Sequence, residues 1–219
     1  MLKWIGKIGW LCAVLPLAAI SLCAQTPTAA SIAAKVDARY DHMASLQAEF
    51  SEHFSGLNLD RTETGTLWMK KPGRMRWSYS SPAGKVFVLD GKNAWFYSPG
   101  DAQAQHIPAK KLDDLRSPMR YLLGHTHLEK EMPGLALAAL AGGNYRLTGI
   151  PKGMEQSVRL VTLDVTGDGL LLAIRVEDSD GTVTEFRFTG MRENGPMKDA
   201  DFLFTPPAGV TVVESLPPI

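Results

Sequence analysis

The chain has 219 residues, 45% hydrophobic and 21% charged, with 23 basic and 23 acidic side chains and a formal net charge of zero. That length allows one sizeable core or two small ones. Neutral balance leaves no strong field to draw a nucleic acid, so a binder of DNA or RNA is excluded.

The first segment, MLKWIGKIGWLCAVLPLAAISLCAQ, carries Lys3 and Lys7, an apolar run from Ile8 to Leu22, and small residues around Cys23 and Ala24. This order predicts a secretory leader over 1–24, cleaved to leave a single domain over 25–219. The apolar run is short for a spanning helix, and Pro16 interrupts it. Cleavage leaves 21 basic and 23 acidic residues, because Lys3 and Lys7 go and no acid does. Both cysteines, Cys12 and Cys23, fall in the leader, so no disulfide or thiol chemistry is expected afterwards. A lipidated Cys23 usually wants a small residue before it; Leu22 stands there instead.

From Ser31 the apolar residues Ile32, Val36, Tyr40, Met43 and Leu46 recur at intervals of three and four, which predicts a helix with one apolar face, capped at Thr28 or Ser31. After Gln47 the period falls to two. Strands are expected around Phe50–Phe54, Leu67–Met69, Met75–Tyr79, Val86–Val88 and Trp95–Tyr97. Turn chemistry separates them: Lys-Pro-Gly at 71–73, Ser-Pro-Ala-Gly at 81–84, Asp90-Gly91 and Ser-Pro-Gly at 98–100. The Asp90-Gly91 pair marks a tight antiparallel hairpin. Between Ala109 and Leu123 a helix or helix pair broken by Pro118 is expected, followed by an irregular connection, EMPGLALAALAGG. Strands resume at 144–150, 157–165, 170–178 and 182–189, and FLFTPPAGVTVVE is a last extended piece around a stiff Pro-Pro corner. The fold class is therefore mainly β with helices: an unclosed antiparallel barrel, or strongly curved sheet, of about 10–11 strands, with helical segments enough to cover one concave face and not both.

Catalytic and metal signatures are weak. His125 and His127 flank Thr126 without nearby Cys, and DVTGDG and DSDG lack the closing Glu of a calcium loop, so both read as hairpin turns. No nucleophile elbow, phosphate loop or dinucleotide fingerprint occurs. No enzyme, metal or cofactor is expected. Lys70, Lys71, Arg74 and Arg76 form a basic cluster, but alternation places Arg74 and Arg76 on one face of their strand and Met75, Trp77 and Tyr79 on the other, so bases have no stacking site between the charges.

GTLWMKKPGRMRWSYSSP, VFVLDGKNAWFYSPGDAQAQ and GTVTEFRFTGMRENGPMKDADFLFTPPAGVTVV resemble, in order and spacing, the periplasmic lipoprotein carrier family LolA, from about Ser31 to Val213. The resemblance implies a soluble, monomeric periplasmic carrier in a Gram-negative-type bacterium. Its cargo would be the acyl chains of lipoproteins, and its partners an inner-membrane releasing transporter and an outer-membrane receptor. It also implies an unclosed barrel lidded by helices over a hydrophobic cavity, and that Lys71, where the family usually has Arg, latches the lid. The cavity wall expected from the strand faces is Leu67, Met69, Met75, Trp77, Val86, Val88, Trp95, Tyr97, Phe186 and Phe188, with Leu115, Met119, Leu122 and Leu123 from the lid. A carrier of glycolipid or fatty-acyl cargo, an anchored receptor or sensor domain, and a lipid-cleaving enzyme are the rival readings.

Overall fold

The structure is a computed structural model that describes residues 26–112, 120–123 and 127–215. The leader expected over 1–24 lies outside the described residues. Helix α1 spans Ala29–His42 and is followed by strands β1 (Ser45–Gly56), β2 (Leu59–Lys70), β3 (Arg74–Ser81), β4 (Val86–Asp90), β5 (Asn93–Tyr97) and β6 (Gln103–Pro108). Two single-turn helices, α2 (Arg120–Leu123) and α3 (Leu128–Glu131), precede β7 (Ala136–Ala139), β8 (Tyr145–Gly149), β9 (Val158–Val165), β10 (Leu171–Asp178), β11 (Val183–Glu193) and β12 (Thr211–Glu214).

All twelve strands join one sheet in the order β12-β6-β5-β4-β3-β2-β1-β11-β10-β9-β8-β7, so β12 and β7 stand at its two edges and the sheet does not close. Every pairing is antiparallel except β12 with β6. The long central strands break register between Gln47 and Glu49 and between Thr64 and Gly65, and β10 does so twice. Such irregularities bend a strand and sharpen its twist, which is how so wide a sheet curls. The count exceeds the expected ten or eleven because β6 and β7 carry little strand signal. QAQHIP has little apolar alternation, and ALAA is alanine-rich, with low β propensity. The stretch expected as an irregular connection therefore includes an edge strand.

Helix α1 forms where its spacing predicts but ends at His42, so that Met43 is its C-cap and Leu46 belongs to β1. Thr28 and Ser31 together make a capping box, and Ile32, Ala33, Val36 and Tyr40 are buried against the sheet. The helix is tied to one end of the sheet. Lys35 Nζ donates to the Gly167 carbonyl at 2.8 Å, Arg39 binds Glu193 at 2.5 Å and Asp168 at 2.8 Å, and the Tyr40 hydroxyl accepts from the Leu171 amide at 3.3 Å. The turns expected from DVTGDG and DSDG are present. Asp168 serves α1, and Asp180 accepts from the Thr182 amide.

Residues 195–210 run as a strap over the other face of the sheet. Lys70 Nζ donates to the Met197 carbonyl at 2.9 Å and to Asp199 at 2.6 Å, and Arg74 pairs with Asp199 at 3.1 Å. Arg76 donates to the carbonyls of Asp201 and Leu203. Lys70, Arg74 and Arg76 of the basic cluster thus fasten the strap. Phe202, in a single 3-10 turn against β3 and β4, is fully buried there. Among the described residues no helix is long and apolar enough to cross a membrane.

Candidate functional site

Cross-strand partners share a face, so the pairing register assigns every side chain. On the face beneath α1, the row nearest the helix reads Leu46, Met69, Met75, Leu89, Ala94 and Ile107 across β1 to β6, all buried. The next row reads Ala48, Leu67, Trp77, Phe87, Phe96 and Gln105. A third holds Phe50, Gly65 and Tyr79, and a fourth pairs Glu52 with Glu63. From β11, Phe188 sits beside Phe50 and Phe186 beside Glu52; from β10 and β9, Ile174 and Leu163 continue the apolar surface. Leu122 is buried in this core, and Leu123 packs against it.

Leu67, Met69, Met75, Trp77, Phe186 and Phe188 therefore lie together on the inner face, with the Trp77 ring 5.2 Å from Phe186 and 6.1 Å from Phe188. Val86, Val88, Trp95 and Tyr97 do not. Val88 pairs with Arg76 and Trp95, and Val86 with Ser78 and Tyr97, so all four occupy the outer face. The expected wall is corrected there by one residue per strand: Phe87, Leu89, Ala94 and Phe96 face inward. Trp95 and Tyr97 instead meet Phe204 of the strap at 5.8 and 5.9 Å, and Trp95 stacks on His106 at 4.9 Å. Leu115 and Met119 lie outside the described residues, as does His125. Phe50, Phe87 and Phe96 are inner residues that sequence reasoning missed.

Trp77 is 2% exposed, and its indole N–H has no acceptor among the described residues, whereas Trp95 donates to Asp90 at 3.0 Å. An unpaired buried donor costs about 1–3 kcal/mol.

Away from α1 the inner face turns polar. The Tyr79 hydroxyl donates to Glu52 at 2.7 Å, Lys85 pairs with Glu63, and Arg61 lies 3.4 Å from Glu63. Lys85 also stands 4.2 Å over the Tyr79 ring. Burial pushes the Glu52 carboxyl above its ordinary range, against the opposing pull of the Tyr79 hydroxyl and the Lys85 charge. Burial, and after it the Glu52 charge, likewise pushes Tyr79 up. A carboxyl raised in the fold binds its proton more tightly there than in the unfolded chain. It therefore adds stability at low pH that is lost as pH rises through the folded value. Glu52→Gln keeps an acceptor for Tyr79 and is expected to raise the melting temperature by a few degrees at about pH 7, with the gain vanishing near about pH 4. Thermal melts of both proteins across that range check it.

The helical cover is held by polar ties at its ends. Lys71 Nζ donates to the Tyr40 carbonyl and, at 3.2 Å, to that of Asp41, at the open C-terminus of α1. Burial there lowers the Lys71 pKa, with Asp41 opposing. Asp37 accepts from the Leu128 amide at 3.1 Å, which couples α1 to α3; burial raises its pKa in spite of that bond. On the outer face of β8 to β11, a depression of about 300 Å³ is lined by Arg146, Thr162, Asp164, Arg175, Glu185 and Arg187. Its charges are paired among themselves, Arg146 with Asp164 at 2.6 Å, so it is unsuited to hydrocarbon.

The family model for the outer membrane lipoprotein carrier protein LolA matches residues 41–205, the stretch that builds the inner face and the strap. The chain belongs to the LolA family. An outer-membrane lipoprotein carrier protein of Nitrosospira multiformis is 34% identical over 155 residues, covering 70% of this chain and 73% of that one. Another from Nitrosomonas europaea is 30% identical over 199 residues, covering 89% and 95%. Among solved structures, an uncharacterized conserved protein of Thermus thermophilus matches at a TM-score of 0.54 and 15% identity, over 84% of this chain and 97% of that one. That likeness is one of fold. Within this LolA chain, Lys71 stands at the β2–β3 corner, and the aromatic rows lie on the inner face.

Proposed function

We propose that this protein is a periplasmic carrier that shields the acyl chains of lipoproteins between the inner and outer membranes. A releasing transporter would load it, an outer-membrane receptor would unload it, and residues 1–24 would be its export leader. It would act without catalysis. The observation that carries this reading is a continuous apolar inner face whose cover, among the described residues, is a 14-residue helix and two single turns rather than a second sheet. The relatives named as outer-membrane lipoprotein carriers support it.

The energetics favour a cover that yields to cargo. Each polar tie of α1 contributes roughly 0.5–1.5 kcal/mol, and less where it is exposed. Burial of one long acyl chain contributes on the order of 10 kcal/mol at about 0.8 kcal/mol per methylene. Three chains therefore outweigh the ties, while the ties and the packing of α1 keep the empty face covered. The proposed test is depletion in the parent bacterium, followed by fractionation. Lipoproteins should stall at the inner membrane, and the protein recovered from the periplasm should carry triacylated polypeptide. Recovery of glycolipid or free fatty-acyl cargo instead would overturn the assignment.

Lys71 is the proposed latch. Lys71→Arg swaps a point charge for a planar fork and should leave the melting temperature within about 2 °C. Lipoprotein release should change by roughly 2- to 10-fold, the range of one hydrogen bond. Lys71→Met should speed hydrogen exchange in the last turn of α1. Transfer kinetics identical to wild type in both variants would remove Lys71 from the mechanism.

A further inference from the structure

The Trp77 indole is the inner face's one buried tryptophan donor without a protein acceptor among the described residues. Its surroundings explain why. Phe50, Phe186 and Phe188 present rings at 4.6, 5.2 and 6.1 Å, and its cross-strand neighbours are Leu67 and Phe87. None of these side chains carries an oxygen or nitrogen lone pair. Buried polar groups are nearly always paired, so an unpaired donor at this depth calls for a partner that arrives with a ligand.

Its position says which part of a ligand. Between Trp77 and α1, strands β1 to β4 of the inner face present hydrocarbon and thioether, in the row Leu46, Met69, Met75 and Leu89. On the far side come Tyr79 and Glu52, then Glu63 with Lys85. Trp77 stands at the boundary. A lipid laid along this gradient places its chains toward α1, its head toward Glu52, and the carbonyl groups that join chain to head at Trp77.

We propose that Trp77 Nε1–H donates a hydrogen bond to an acyl carbonyl oxygen of the bound lipid, so that the site recognises acylated cargo as distinct from hydrocarbon alone. This inference rests on the carrier reading and adds a polar subsite and a cargo orientation to it. It makes Trp77 a binding and specificity residue.

The test compares dioctanoylglycerol, with two ester carbonyls, and its dioctyl diether, with none. Wild type should bind the diester about 2- to 10-fold more tightly, the range of one neutral hydrogen bond. Trp77→Phe should abolish that preference, so that diester and diether bind within about twofold of each other whatever the overall affinity of the variant. A second readout needs no Trp77 variant. In the protein lacking residues 1–24, the indole ¹⁵N–¹H resonances are assigned by Trp68→Phe and Trp95→Phe. The remaining Trp77 proton should then shift downfield with the diester and not with the diether. Equal affinities, no selective shift, or a preference that survives Trp77→Phe would overturn the carbonyl subsite and leave the carrier reading standing. Failure of wild type to bind either lipid would overturn both.

Discussion

Gly169→Ala is expected to unseat α1. Gly169, in the β9–β10 turn, has φ of +89°, and a Cβ built there would lie 2.5 Å from the Lys35 carbonyl carbon, 2.6 Å from its oxygen and 2.7 Å from the Val36 nitrogen. Those atoms are helix backbone and cannot rotate away, so the helix or the turn must move. The left-handed conformation adds about 1–2 kcal/mol for any L side chain. Together these should cost about 3 kcal/mol or more, lowering the melting temperature by roughly 6–12 °C at about 2–4 °C per kcal/mol for a chain of this size. The loss should be local in character: amide exchange in α1 should accelerate more than in β10 and β11. Under the carrier reading, a displaced helix also shortens the retention of bound lipopeptide. Uniform acceleration across the sheet, or α1 protection equal to wild type, would show that this contact does not seat the helix.

Which parts were legible in the sequence follows from how many faces each element buries. Helix α1 has one buried side, and its 3–4 spacing shows it, with Thr28 as its cap, although the same spacing runs past the helix end to Leu46 of β1. Strand β3 is equally clear, since Arg74 and Arg76 contrast with Met75 and Trp77. Strands β4 and β5 defeat the same reasoning. VFVL and AWFY are apolar on both sides because α1 and its partners cover one face while the strap covers the other, so alternation disappears. The hairpin itself is legible: Val88 does pair with Trp95, and Val86 with Tyr97. Only the face is inverted, as a one-residue slip across the β3–β4 turn does. The missing signal lies over a hundred residues away, in Phe202 and Phe204, whose seats no local pattern reveals. The polar end of the inner face is hidden for a related reason: Glu52, Glu63 and Lys85 look like ordinary solvated strand residues until pairing stacks them beside Tyr79.

Phe202→Ala separates the two faces experimentally. Phe202 is fully buried beneath the strap and stands apart from the core under α1. Truncating such a ring costs about 3–5 kcal/mol in lost burial and residual cavity. The expected fall in melting temperature, roughly 6–20 °C, matches or exceeds that of Gly169→Ala. The consequences for cargo should be opposite. Below its own melting transition, Phe202→Ala leaves the rows from Leu46 to Ile107 and from Ala48 to Gln105 intact, because their helical cover and their register owe nothing to the strap's inner contacts. Affinity for lipopeptide should therefore stay within about twofold of wild type, while protease sensitivity rises between residues 195 and 210 as Lys70, Arg74 and Arg76 lose a firmly seated partner. Two variants of similar instability would then differ in cargo retention because they disturb different sides of one sheet. A loss of lipopeptide affinity in Phe202→Ala as large as in Gly169→Ala would mean that Trp95, Tyr97 and their neighbours take part in cargo binding after all, and the inward assignment of Phe87 and Phe96 would no longer account for the site.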